Sequence, residues 1–133
     1  MIERISHIGI AVKDMHASIA LFRRLFGKDP DHSEDVPDQQ VRTALFHVGS
    51  SSIELTEATD SNSPIARFLE KRGEGVHHIS FVVDDINQEL GRLRATGFQL
   101  IDESPRVGAG GYLVAFLHPR STNGVLIEIS QKQ

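Results

Sequence analysis

The chain has 133 residues, 39% of them apolar and 24% charged, with a net charge of −4. That length supports one domain with a proper core, and the charge gives no general pull towards nucleic acid or an anionic membrane. Cysteine is absent, so disulfides, thiolate metal sites and a cysteine nucleophile are excluded.

The opening residues, MIERISHIGIAV, alternate as a strand rather than as a basic-then-apolar signal segment. No stretch is long enough to span a bilayer, so a cytoplasmic protein is expected. Asp14 then stands where an N-cap belongs, Met15, Ile19 and Phe22 form one helical stripe, and Gly27 marks a stop. The segment GKDPDHSEDVPDQQ, acidic with two prolines, reads as a loop with at most a short edge strand. Strand patterns follow over VRTALFHV and SSIELT. In DSNSPIARFLEKRGEG, Ser63 can cap a linking helix, Pro64 suits its first position and Gly73 ends it.

After that helix the pattern starts again. VHHISFVVDDINQELGRL lies over ISHIGIAVKDMHASIALF at an offset of 71 residues. His78 falls on His7, Asp85 on Asp14, and Ile86, Leu90 and Leu93 on Met15, Ile19 and Phe22, with Gly97 as the second stop. AFLHPR matches ALFHVG at the same offset, and Glu128 falls on Glu54 at an offset of 74. Each half reads strand–helix–strand–strand–strand. The expectation is an α+β domain of two tandem βαβββ modules, about 1–60 and 75–133, joined by a helix at about 61–74. Together they form a curved, roughly eight-stranded mixed sheet around a metal-binding cavity.

Alternation assigns faces. Ile8, Ile10 and Val12 share one face of the first strand, and His7, Gly9 and Ala11 share the other. His78, Ser80 and Val82 oppose Ile79, Phe81 and Val83. Glu54 opposes Ile53 and Leu55, and Glu128 opposes Ile127 and Ile129. Each half thus places one His and one Glu on its less apolar face. Carboxylates within apolar strands are costly unless paired or metal-bound. Two His and two Glu at repeat-equivalent positions point to a divalent ion held by His7, Glu54, His78 and Glu128, with Zn, Ni, Co, Mn or Fe(II) suited to such donors. His77 has the opposite parity and reads as a supporting residue. His47 and His118 sit at strand ends and read as turn residues.

With those residues in place, the chain resembles the vicinal oxygen chelate (glyoxalase-like) superfamily and, within it, the methylmalonyl-CoA epimerases. NSPIARF, GVHHISFVVDDI, VGAGGYLVAFLHPRSTNGVLIEI and the opening HIGIAVKDM carry the resemblance across nearly the whole chain. It implies a homodimer acting on an acyl-CoA, with Co, Mn, Ni or Zn held by the same four residues, and inversion of the α-carbon through an enolate. Glu128 is then the first choice as catalytic base. Thr43 stands near where some relatives carry a carboxylate, so the second base is open among Glu54, a metal-bound water and His47. VGAGG could cradle an anion through backbone N–H groups or be a plain turn. A glyoxalase I-type lactoylglutathione lyase and a non-catalytic small-molecule binder remain the alternatives.

Overall fold

The computed structural model describes residues 1–133. Its strands are β1 (Ile2–Ala11), β2 (His32–Val36), β3 (Val41–Val48), β4 (Ser51–Ala58), β5 (Gly75–Val83), β6 (Arg106–Val107), β7 (Leu113–Leu117) and β8 (Ile127–Gln131). Its helices are α1 (Met15–Phe26), α2 (Pro64–Arg72) and α3 (Ile86–Ala95). The strands form one eight-stranded order, β2-β3-β4-β1-β5-β8-β7-β6. The sheet is mixed: β5 and β8 run parallel, while β2–β3, β3–β4, β6–β7 and β7–β8 are antiparallel. This is the α+β arrangement that the repeat implies, with β2 a true strand inside the acidic, proline-containing segment.

The chain falls into two compact units: Ile8–His77, and Met1–His7 with His78–Gln133. In the unit Ile8–His77, α1 begins as its sequence dictates. The Asp14 side chain accepts a hydrogen bond from the Ala17 N–H, and Gly27 closes the helix at φ 71°, where a side chain would be strained. The Met15 stripe packs on Val12, Ala44, Phe46 and Leu55, with Ile19, Phe22 and Ile53 around them. Those strand residues are the bulky faces defined by alternation, so the opposite faces of β3 and β4 are left for polar groups. Helix α2 has the expected Ser63 cap on the Ile65 N–H and Pro64 in its first turn.

The other unit repeats this logic. Asp85 caps α3 through the Gln88 N–H, and Ile86, Leu90 and Leu93 pack on Val83, Ala115, Leu117 and Ile129. Its stop differs by one residue from the sequence expectation. Thr96 is the C-cap, its hydroxyl donating back to the carbonyls of Arg92 and Leu93, and Gly97 follows at φ 95°. A threonine can close the last turn through its side chain, so the glycine falls one position later, where the chain reverses.

Candidate functional site

In the unit Met1–His7 with His78–Gln133, β5 pairs with β8 so that Ser80 stands beside Glu128, and β7 places Phe116 opposite Glu128. Paired residues share a face, and so do residues two apart along a strand. His78, Ser80, Glu128, Ser130 and Phe116 therefore line one face. Ser80 and Ser130 are small, buried and bonded to each other through their hydroxyls at 3.3 Å. They leave the space above them to the larger side chains.

His7 joins this group. Its Nε2 lies 3.0 Å from His78 Nε2 and 3.4 Å from Glu128 Oε1. The two rings meet edge to face at 5.1 Å, and the Phe116 ring stands edge-on to His78 at 5.9 Å. Ser6 Oγ sits 3.1 Å from His7 Nδ1. That contact lets Nδ1 carry the ring proton and turns the Nε2 lone pair towards His78 and Glu128. Burial lowers the His7 pKa, opposed in part by the negative charge of Glu128, so the imidazole is held neutral. A neutral imidazole is what a metal requires.

These spacings fit a divalent ion. Ligand atoms about 2.1 Å from one ion stand about 3.0 Å apart at a right angle and about 3.4 Å apart at the tetrahedral angle. Both separations are found here between donors of the expected type.

In the unit Ile8–His77, Glu54 is 6% exposed on β4, between Ile53 and Leu55 of the core side. Desolvation pushes its carboxyl up to about 7; the Thr56 hydroxyl, donating to Glu54 Oε1 at 3.3 Å, opposes this, and the Glu34 charge adds to it. A cation would offset that desolvation, as expected of a ligand carboxylate.

The remaining histidines divide as their positions imply. His77 meets the Phe68 ring of α2 edge-on at 4.9 Å, and burial lowers its pKa to about 4. His47 Nδ1 pairs with Ser52 Oγ at 2.8 Å across the β3–β4 hairpin. His118 caps a short 3-10 turn, its Nδ1 accepting from the Arg120 N–H at 3.0 Å. Three backbone hydrogen bonds lie within the glycine-rich turn. Gly108 N–H donates to Tyr112 O, Gly111 N–H to Gly108 O, and Tyr112 N–H to Ala109 O.

Three residues are not evident from the sequence: Ser6, Phe116 and Glu34. The first two have a visible signal in retrospect. Ser6 precedes a ligand-type histidine, and Phe116 stands opposite Glu128 once β7 and β8 are paired. Glu34 has none, because its segment lacks any alternating pattern.

Residues 6–116 match the family model of the glyoxalase/bleomycin resistance protein/dioxygenase superfamily. The chain belongs to that superfamily. Among its relatives, an ethylmalonyl-CoA/methylmalonyl-CoA epimerase of Cereibacter sphaeroides is 38% identical over 133 residues, covering 98% of this chain and 99% of its own. The mitochondrial methylmalonyl-CoA epimerase of Dictyostelium discoideum is 36% identical over 132 residues, covering 98% and 80%. A solved structure of the Streptomyces coelicolor methylmalonyl-CoA epimerase in complex with 2-nitronate-propionyl-CoA superposes with a TM-score of 0.95 at 35% identity, covering 99% of this chain and 96% of that one. The glyoxalase-like fold and the paired strand–helix units expected from the sequence are thus those of the superfamily. No helix of this chain is long and apolar enough to cross a membrane.

Proposed function

We propose that this superfamily member is a metal-dependent epimerase that interconverts the (R) and (S) forms of methylmalonyl-CoA. The observation that carries the reading is the convergence of His7 Nε2, His78 Nε2 and Glu128 Oε1, at 3.0 and 3.4 Å. Relatives that carry the epimerase name, matched over 80% and 99% of their own length, support the choice of substrate.

In this reading His7, His78, Glu128 and Glu54 hold one divalent ion of the Co, Mn, Ni or Zn class. When bound, the ion supplies a Lewis acid for the negative charge that develops on the thioester oxygen. The chain's own residues do the rest. Ser6 fixes the His7 ring, burial keeps that ring neutral, and Phe116 walls the site beside His78. Glu128 takes the α-proton from one face of the substrate as general base. The enzyme is cytoplasmic and homodimeric in this reading, which light scattering tests as twice the chain mass.

Metal removal tests the proposal. Protein stripped with a chelator should lose methylmalonyl-CoA epimerisation and regain it when Co, Mn, Ni or Zn is added. Full activity in the stripped protein, with metal absent by elemental analysis, would contradict it.

A further inference from the structure

The register of the unit Met1–His7 with His78–Gln133 carries the face of His78 and Glu128 out to the edge of the sheet. Ser80 and Val82 of β5 stand beside Glu128 and Ser130 of β8. Phe116 and Val114 of β7 stand opposite that same pair, and Arg106 of β6 stands opposite Val114. Partners across a ladder share a face, and so do residues two apart on a strand. Arg106 therefore lies on the face that holds His78 and Glu128, and no other arginine or lysine is placed there by the register. Burial falls away along the row. Glu128, Ser130 and Val114 are buried, while the Arg106 side chain is half exposed.

Measured contacts tie Arg106 to the site. Its guanidinium lies over the Phe116 ring, 5.8 Å from the ring centre, and the same ring stands edge-on to His78 at 5.9 Å. Asp102 anchors both members of this stack. Its Oδ2 accepts a hydrogen bond from the Phe116 N–H at 2.8 Å, and its Oδ1 lies 3.6 Å from Arg106 Nε. The terminal nitrogens of Arg106 donate no hydrogen bond within the chain. A guanidinium seated on a ring and steered through Nε offers its remaining N–H groups as a ready-made fork, which matches the two oxygens of a carboxylate.

Two anionic groups of a malonyl-type CoA ester suit such a fork. One is the free carboxylate, bonded directly to the α-carbon. The other is the phosphate set of CoA, separated from the acyl group by the whole pantetheine arm. A cation one ring away from His78 stands at the acyl end. We propose that Arg106 receives the free carboxylate of the substrate and so makes the site selective for CoA esters that carry a carboxylate on the α-carbon. Phe116 is the platform, and Asp102 positions the guanidinium. The assignment rests on the epimerase reading above. With the carboxylate held towards the sheet edge and the thioester towards the His/Glu centre, the α-carbon is presented to Glu128 on the same face.

The test measures binding to metal-loaded protein by calorimetry for three ligands. They are methylmalonyl-CoA, methylmalonyl-pantetheine, which has no phosphates, and propionyl-CoA, which has no carboxylate. In Arg106→Gln, Kd for both methylmalonyl ligands should rise by about 10–100-fold, the range for a hydrogen bond to a charged group. Propionyl-CoA should bind as before, and metal content should be unchanged. Arg106→Lys keeps the charge without the fork and should recover part of the loss. If Arg106→Gln does not fold, Arg106→Lys carries the test, with a smaller weakening confined to the two methylmalonyl ligands expected. Unchanged binding of all three ligands overturns the assignment. Weakening of both CoA esters with methylmalonyl-pantetheine unaffected also overturns it, because Arg106 then serves the phosphates. Epimer interconversion is followed on the same samples. Its absence in the unaltered protein overturns the epimerase reading, whereas unaltered ligand preference in an interconverting Gln variant overturns the role of Arg106 alone.

Discussion

Glu128→Gln should cut α-proton exchange by about 10²–10⁴-fold while the protein keeps its fold and its metal. The side chain is 5% exposed on β8, opposite Phe116, with Oε1 3.4 Å from His7 Nε2. An amide of the same shape fills that space and still offers an oxygen to an ion, so packing and coordination survive. What it loses is the ability to take a proton. The readout is deuterium uptake at the α-carbon of methylmalonyl-CoA, with metal stoichiometry measured on the same sample. Normal exchange of both epimers in metal-loaded Glu128→Gln would remove Glu128 from the chemistry.

The adjacent histidines give the second large effect. His78→Ala should weaken divalent-ion binding by more than about 100-fold, since losing even an outer partner of a ligand typically costs 10–100-fold. Activity should go with the metal. His77→Ala should keep both. Its ring instead meets Phe68 of α2 at 4.9 Å, and losing an edge-to-face contact of this kind costs about 1 kcal/mol. Titration with Co or Mn and a denaturant melt on both variants separate the two roles. Metal loss in His77→Ala, with binding intact in His78→Ala, would invert the assignment.

That contrast is legible in the residue order alone, because a strand's period of two sends neighbours to opposite faces whatever the fold. The repeat matches His78 to His7, and the helix stripes show which faces have to pack. The structure places Val12, Leu55, Val83 and Ile129 under the helices and leaves His7 and His78 on the other side of their strands. Caps are legible for the same local reason: Asp14, Ser63 and Asp85 each bond an N–H two or three residues ahead. Pairing between strands is not. Glu34 lies in HSEDV, a polar run without alternation, and its relation to Thr43 exists only once the β2–β3 register is set. Phe116 likewise becomes a wall of the site only through the β7–β8 register. The equivalence of His47 and His118 holds in sequence but not in role. The first bonds across a hairpin, and the second caps a turn after β7. The three residues added ahead of Glu128 relative to Glu54 fall within the segment that follows β7, where the chain makes that extra 3-10 turn.

Epimerisation in the proposed function is proton transfer at a His/Glu metal centre. It is tested most directly by loading the protein with Co, Mn, Ni or Zn and supplying one pure epimer of methylmalonyl-CoA in D2O. Lactoylglutathione formation from methylglyoxal and glutathione is followed in parallel. The other epimer is expected to appear carrying deuterium at the α-carbon, only with metal present, and no lactoylglutathione is expected to form. Lactoylglutathione formation without any deuterium entering methylmalonyl-CoA would contradict it.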